Sequence, residues 1–194
     1  MADKLNVLVI CGSLRKGSYN AALTRALPGL APPEINFVMA PTIGTLPLYN
    51  ADVQDSSGFP GPANDLAAAI RAADGVLFVT PEYNWSMPGV LKNAIDWASR
   101  PYGTNSFTHK PSAVIGASPG AIGTAVAQQS LRSVLSFCNS PQMNAPEAYI
   151  HFTPGLITDA GEVTDEATEQ FLRQYMVEFH AFIARVLSVL PPEA

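Results

Sequence analysis

The chain has 194 residues, 47% of them hydrophobic and 14% charged, with a formal net charge of −5. That length suits one compact α/β domain with a two-sided core, expected to span 1–194. An acidic balance without a long basic run argues against bulk attraction to nucleic acid, and no apolar stretch approaches the ~20 residues that span a bilayer. The charged share lies well below the usual ~25%. Part of the surface is therefore expected to be hidden, and a partner subunit would hide it. Met-Ala-Asp-Lys at the start lacks the basic-then-apolar pattern of a signal peptide, so a cytoplasmic location is expected.

Asn6 to Cys11 (NVLVIC) is an apolar, β-branched run that reads as a buried strand. Asn20 to Leu27 has helical spacing, with Pro28-Gly29 as a stop. Ile35 to Met39 is a weaker second strand, and Ala40 to Pro62, rich in Pro, Gly and Ser, reads as an extended loop. Asn64 to Ala73 is an Ala-rich helix, Gly75 to Thr80 a third strand, and Gly89 to Ser99 a helix. Ser112 to Ala117 is a fourth strand, Ile122 to Phe137 a long helix, and Gln142 to Ile150 contains the fifth strand. Asp165 to Leu190 closes the chain as a helix with Phe171, Tyr175, Phe179 and Phe182 on its apolar face. Continuous apolar strands alternating with helices imply a parallel sheet covered on both faces. In such a sheet, ligands bind beyond the carboxyl ends of the strands, where strand order reverses.

The first such end is Gly12-Ser13-Leu14-Arg15-Lys16-Gly17-Ser18-Tyr19-Asn20. Two serine hydroxyls, an arginine fork, two glycines and a helix start, with Asn20 as its cap, converge on an anion. The spacing of Gly12 and Gly17-Ser18 imitates part of a Walker loop, but no lysine follows the second glycine. GxGxxG is absent too, so a single monophosphate fits better than a nucleoside triphosphate or a dinucleotide. A capped turn with no ligand is the bland alternative, and Arg15 between two serines weighs against it.

The third strand ends in Thr80-Pro81-Glu82-Tyr83-Asn84-Trp85-Ser86-Met87-Pro88. Prolines stiffen it, Tyr83 and Trp85 offer flat surface, and Asn84 and backbone N–H groups can bond a heterocycle edge. Core packing of the two aromatics is the competing reading. Glu82 has no carboxylate or histidine nearby in sequence and is assigned no acid–base role. The loop Ser118-Pro119-Gly120-Ala121-Ile122-Gly123-Thr124, with two glycines and small side chains, allows close approach to a ligand. His109, His151 and His180 fall outside these loops, and Cys11 and Cys138 read as buried free thiols. No Cys/His cluster suggests a metal site. Arg100 reads as a helix C-terminal charge or a residue at the pocket rim.

Together GSLRKGSYN, TPEYNWSMPGVLKNAIDW and ASPGAIGT resemble the NADPH-dependent FMN reductase family, within it the bacterial quinone and chromate reductases, over essentially the whole chain. The resemblance implies a flavodoxin-like doubly wound sheet of strand order 2-1-3-4-5 with bound FMN. Ser13, Arg15, Ser18 and Asn20 would hold its phosphate, with Tyr19 also in the cofactor site. Pro81, Glu82, Tyr83, Asn84 and Trp85 would line the isoalloxazine, largely through backbone atoms, and Ser118 and Gly120 would border its other side. Relatives often carry Tyr where this chain has Trp85, and the third loop varies among them. The implied activity is ping-pong electron transfer from NAD(P)H to a quinone-like acceptor, without a catalytic side chain, in a homodimer or dimer of dimers. Chromate, azo dyes and ferric chelates are further acceptors, and the choice between NADH and NADPH is not legible. The competing reading is a flavodoxin-type carrier. A flavin-free regulatory domain fits less well, since Cys11 and Thr80 stand where its acidic pocket would be. The helices 89–99 and 122–137 carry few charges and are expected to pack against a second subunit.

Overall fold

A computed structural model describes residues 4–190. Five parallel strands form one sheet in the order β2-β1-β3-β4-β5: β1 is Leu5–Cys11, β2 Ile35–Met39, β3 Gly75–Val79, β4 Ser112–Ser118 and β5 Ala148–His151. Order reverses at β1, which pairs with β2 on one side and β3 on the other. This is the flavodoxin-like order. The helices are α1 (Tyr19–Leu30), α2 (Ala51–Ser57), α3 (Gly61–Ala72), α4 (Gly89–Ala98), α5 (Ala125–Phe137) and α6 (Glu166–Val189).

Strand side chains alternate between faces, so the contiguous apolar runs feed two cores. Val7, Val9, Leu77, Val79, Ile115 and Ala117 pack under α1 and α6 with Leu23, Leu27, Tyr175 and Phe179. Leu8, Ile10, Val76, Phe78 and Val114 pack under α3, α4 and α5 with Leu66, Ile70, Leu91 and Leu131. Tyr175, fully buried, donates its hydroxyl to the Val114 carbonyl at 2.9 Å; burial pushes that phenol far above its ordinary range.

Several boundaries differ from the sequence expectation. Pro28 does not stop α1, which continues to Leu30. Leu27 and Leu30 are both buried in the core, and that burial outweighs the one hydrogen bond proline forfeits. The segment 40–62 is not an extended loop. It contains a 3-10 turn at Ile43–Thr45 and the helix α2, which Asn50 caps by accepting from Asp52 N. Trp97 on α4 holds the segment by donating Nε1 to the Pro47 carbonyl at 2.8 Å, and Asn93 bonds Pro47 O and Tyr49 N. α3 starts three residues before the expected Asn64, and α5 begins at Ala125 rather than Ile122, after a turn in which Gly123 has φ 60°. Met1–Asp3, on which part of the signal-peptide reading rests, lie outside the described residues. Among the described residues, no helix is long and apolar enough to cross a membrane, and no group of His, Cys, Asp and Glu could hold a metal ion.

Candidate active site

β1, β3 and β4 end side by side, and their following loops enclose a cleft of about 160 Å³. Ser13, Arg15, Ser18, Tyr19 and Asn20 line one wall, Pro81, Glu82 and Tyr83 a second, and Ala117, Ser118 and Pro119 the third. Asn84, Trp85 and Gly120 lie outside that lining. Close contact between the first two walls requires Gly12. A Cβ there would meet Leu91 Cδ2 at 3.1 Å and Thr80 Oγ1 at 3.4 Å. Neither Gly12 nor Gly17 has a positive φ, so approach rather than a left-handed turn explains the first glycine. A Cβ on Gly116 would collide with the Thr80 carbonyl oxygen, so β3 and β4 can converge under the cleft only around a glycine.

The first wall is rich in donors. Among the described residues, the backbone N–H groups of Ser13, Leu14, Arg15, Lys16 and Gly17 find no protein acceptor. Arg15 is exposed, with its guanidinium carbon 5.1 Å from the centroid of the Tyr19 ring. Tyr19 stacks in turn on Phe152 at 4.3 Å. Phe152 follows β5 directly and was not singled out from the sequence; attention to the strand-5 end would have found it. Ser18, not Asn20, caps α1. Its Oγ accepts from Asn20 N and Ala21 N at 3.2 and 3.3 Å, which leaves its hydroxyl proton free to donate. The Asn20 side chain is committed elsewhere, donating to Ala117 O and accepting from Ala117 N, both at 2.9 Å. It is 2% exposed, so it braces the site, and of its two amide N–H groups one is spent on Ala117.

The second wall ends in a tight turn. Tyr83 N donates to Ser86 O at 3.0 Å and Ser86 N to Tyr83 O at 3.1 Å. Between them Asn84 and Trp85 have φ 52° and 61°, the signature of a type I′ turn. Asn tolerates that region; Trp rarely occupies it, and such strain concentrates at functional sites. The turn displays Tyr83, which lines the cleft, and Trp85, which is 75% exposed. Core packing of these two rings is thereby excluded. The backbone N–H groups of Glu82, Asn84 and Trp85 likewise lack protein acceptors among the described residues.

Residues 5–155 match the sequence model of the family described as NADPH-dependent FMN reductase. The chain belongs to this family. Membership makes the reductase an enzyme with FMN as its cofactor and NAD(P)H as electron donor. A 2-hydroxy-1,4-benzoquinone reductase of Burkholderia sp is 46% identical over 179 residues, 92% of this chain and 96% of that one. The quinone reductase of Escherichia coli (strain K12) is 44% identical over 191 residues, 96% of this chain and 99% of its own. Among solved structures, FerB, a flavoenzyme NAD(P)H:(acceptor) oxidoreductase from Paracoccus denitrificans, superposes with a TM-score of 0.87 at 44% identity, covering 93% of this reductase and 98% of its own chain. The cleft suits FMN chemically. A cation, a free hydroxyl proton and a run of unpaired N–H groups answer a doubly charged phosphate, and an exposed aromatic turn beside them answers a flat ring.

Proposed function

We propose that the chain is a single-domain cytoplasmic NAD(P)H oxidoreductase that delivers two electrons to quinones or similar acceptors in ping-pong order. The observation that carries this reading is the arrangement around the cleft: unpaired anion donors on the β1 loop face a strained turn exposing Tyr83 and Trp85. Arg15, the Ser18 hydroxyl and the N–H groups of Ser13 to Gly17 bind the phosphate, and Tyr19 buttresses Arg15. Tyr83 and the Asn84–Trp85 turn would hold the ring, the N–H groups of Glu82, Asn84 and Trp85 would offer donors to its polar edge, and Ser118 and Gly120 would border its other side. FMN supplies the hydride-accepting and electron-donating chemistry, which no side chain of the chain duplicates. The protein's part is to orient the ring and to set fixed N–H dipoles against its developing negative charge. Quinone protons come from solvent, and no histidine lines the cleft.

The acceptor assignment draws support from the quinone-reductase relatives. Chromate, azo dyes and ferric chelates share the requirement for an open ring face. Helices α4 and α5 form the interface of a dimer, consistent with an outer face of α5 that exposes Val126 and Phe137 and carries no charge, its one arginine, Arg132, being buried. A visible spectrum recorded before and after anaerobic NADPH or NADH, then after benzoquinone, tests the whole reading. Bleaching by the nucleotide and recovery with the quinone are expected. A bound flavin that neither nucleotide bleaches would identify a carrier of flavodoxin type, and failure to take up FMN would end the proposal.

A further inference from the structure

Glu82 has no assigned chemistry in the reading above, yet its side chain is not idle. Oε2 accepts a hydrogen bond from the backbone N–H of Ala127 at 2.9 Å, across 45 residues of chain. Ala127 is in the first turn of α5, where backbone N–H groups have no partner within the helix. The preceding Thr124 makes no side-chain cap bond to this helix. Glu82 therefore caps α5 from a different loop, and its carboxylate also sits at the positive end of the helix. A second tie lies one turn along. Ser86 Oγ and Ser130 Oγ are 2.9 Å apart, across 44 residues.

Glu82 and Ser86 bracket the Asn84–Trp85 turn. Ala127 and Ser130 stand three apart on α5, on one side of the helix. Both ends of a strained five-residue segment are thus fastened to a single rigid element. Among the described residues, the segment's only backbone–backbone bonds are the pair between Tyr83 and Ser86, which close the turn but do not anchor it. Without the two side-chain ties, the unpaired N–H groups of Glu82, Asn84 and Trp85 would have no fixed aim.

We infer that Glu82, with the Ser86–Ser130 pair, is a positioning residue: it holds the turn after β3 against α5 so that its backbone donors are already set for the isoalloxazine ring. This rests on the FMN reading given above. The role requires an acceptor at Oε2 and no proton transfer, so glutamine should serve nearly as well as glutamate.

The test compares FMN with riboflavin, which has the same ring without the phosphate, by flavin fluorescence titration on the full chain. Glu82→Ala is expected to weaken both ligands by the same factor, about tenfold, while Glu82→Gln stays within about twofold of the parent. Ser130→Ala, remote from either ligand, is expected to weaken both by about threefold and provides the test should Glu82→Ala not fold. By contrast, Arg15→Ala is expected to weaken FMN alone. Unchanged binding in Glu82→Ala and Ser130→Ala, or a glutamine variant as weak as the alanine one, overturns the positioning role while leaving the FMN reading intact. A parent protein that binds no FMN overturns both.

Discussion

Asn20 and Ala117 lie 97 residues apart and exchange two hydrogen bonds of 2.9 Å, the amide donating to the Ala117 carbonyl and accepting from its N–H. The pair is buried and joins the first turn of α1 to the end of β4, so two of the three walls of the cleft move as one. Asn20→Ala leaves both backbone groups of Ala117 without partners. We expect a loss of about 2–4 kcal/mol in urea unfolding of the flavin-free protein. Asn20→Asp should not rescue it, because a carboxylate oxygen would face the Ala117 carbonyl. Parent-like stability of the alanine variant would show that the contact contributes nothing.

Arg15 is exposed, with its guanidinium over the Tyr19 ring. Its removal should therefore cost binding and not folding. Arg15→Ala is expected to lower FMN affinity about 10- to 100-fold and to shift unfolding by less than about 0.5 kcal/mol. Arg15→Lys should recover only part of the affinity, since an ammonium cannot reproduce the guanidinium fork. Equilibrium titration with FMN checks both.

Trp85 sits at φ 61°, where an L side chain is strained and glycine is not. Trp85→Gly is expected to raise stability by about 0.5–1 kcal/mol while raising KM for a quinone acceptor, because its exposed flat surface is lost. Chemical denaturation and steady-state kinetics read the two effects separately. A variant that loses stability would mean that Trp85 packs on something more than the turn itself.

Asp165 caps α6, and its carboxyl is held below the usual carboxylate range by the Thr168 hydroxyl first and the Thr168 N–H second. In the window between the folded and unfolded values, the unfolded chain binds the proton more readily, so stability rises with pH there. The stabilisation is complete above the unfolded value of about 3.9 and is lost as pH falls through the lower folded value. Asp165→Asn keeps an acceptor without a titrating group. Its urea midpoint should therefore fall less steeply than the parent's on acidification.

Phe137 is 78% exposed at the end of α5. Like Val126 near the start of α5, it lies on a helix face without charge, an arrangement that favours burial against another subunit. Phe137→Glu is expected to turn a dimer into a monomer in sedimentation velocity at micromolar concentration. A parent that is already monomeric would remove the oligomer from the proposal.

Much of this molecule is readable without coordinates. The runs VLVIC, GVLFV and AVIGA are apolar at every position, a pattern that a strand covered on both faces favours, and the intervening helices then point to a parallel sheet. Once the sheet is parallel, the carboxyl ends of its strands are where chemistry must gather. Ser13, Arg15, Ser18, Pro81, Glu82, Tyr83 and Ser118 do line one cleft there.

Other features depend on partners that no local pattern reveals. Asn20 looks like a cap for α1, but Ser18 takes that place and Asn20 turns to Ala117. Glu82 looks unpartnered until folding brings Ala127 to it. Pro28 reads as a helix stop, and segment 40–62 as loop, because proline and glycine dominate local preference; buried Leu27 and Leu30, and the bonds from Trp97 and Asn93, override it. Composition and periodicity thus determined the strands, the helices other than α2, and where the loops meet. The tertiary structure alone decided which polar side chains are spent on holding those loops and which remain for a ligand, because a hydrogen bond depends on distance in space and not on separation in the chain.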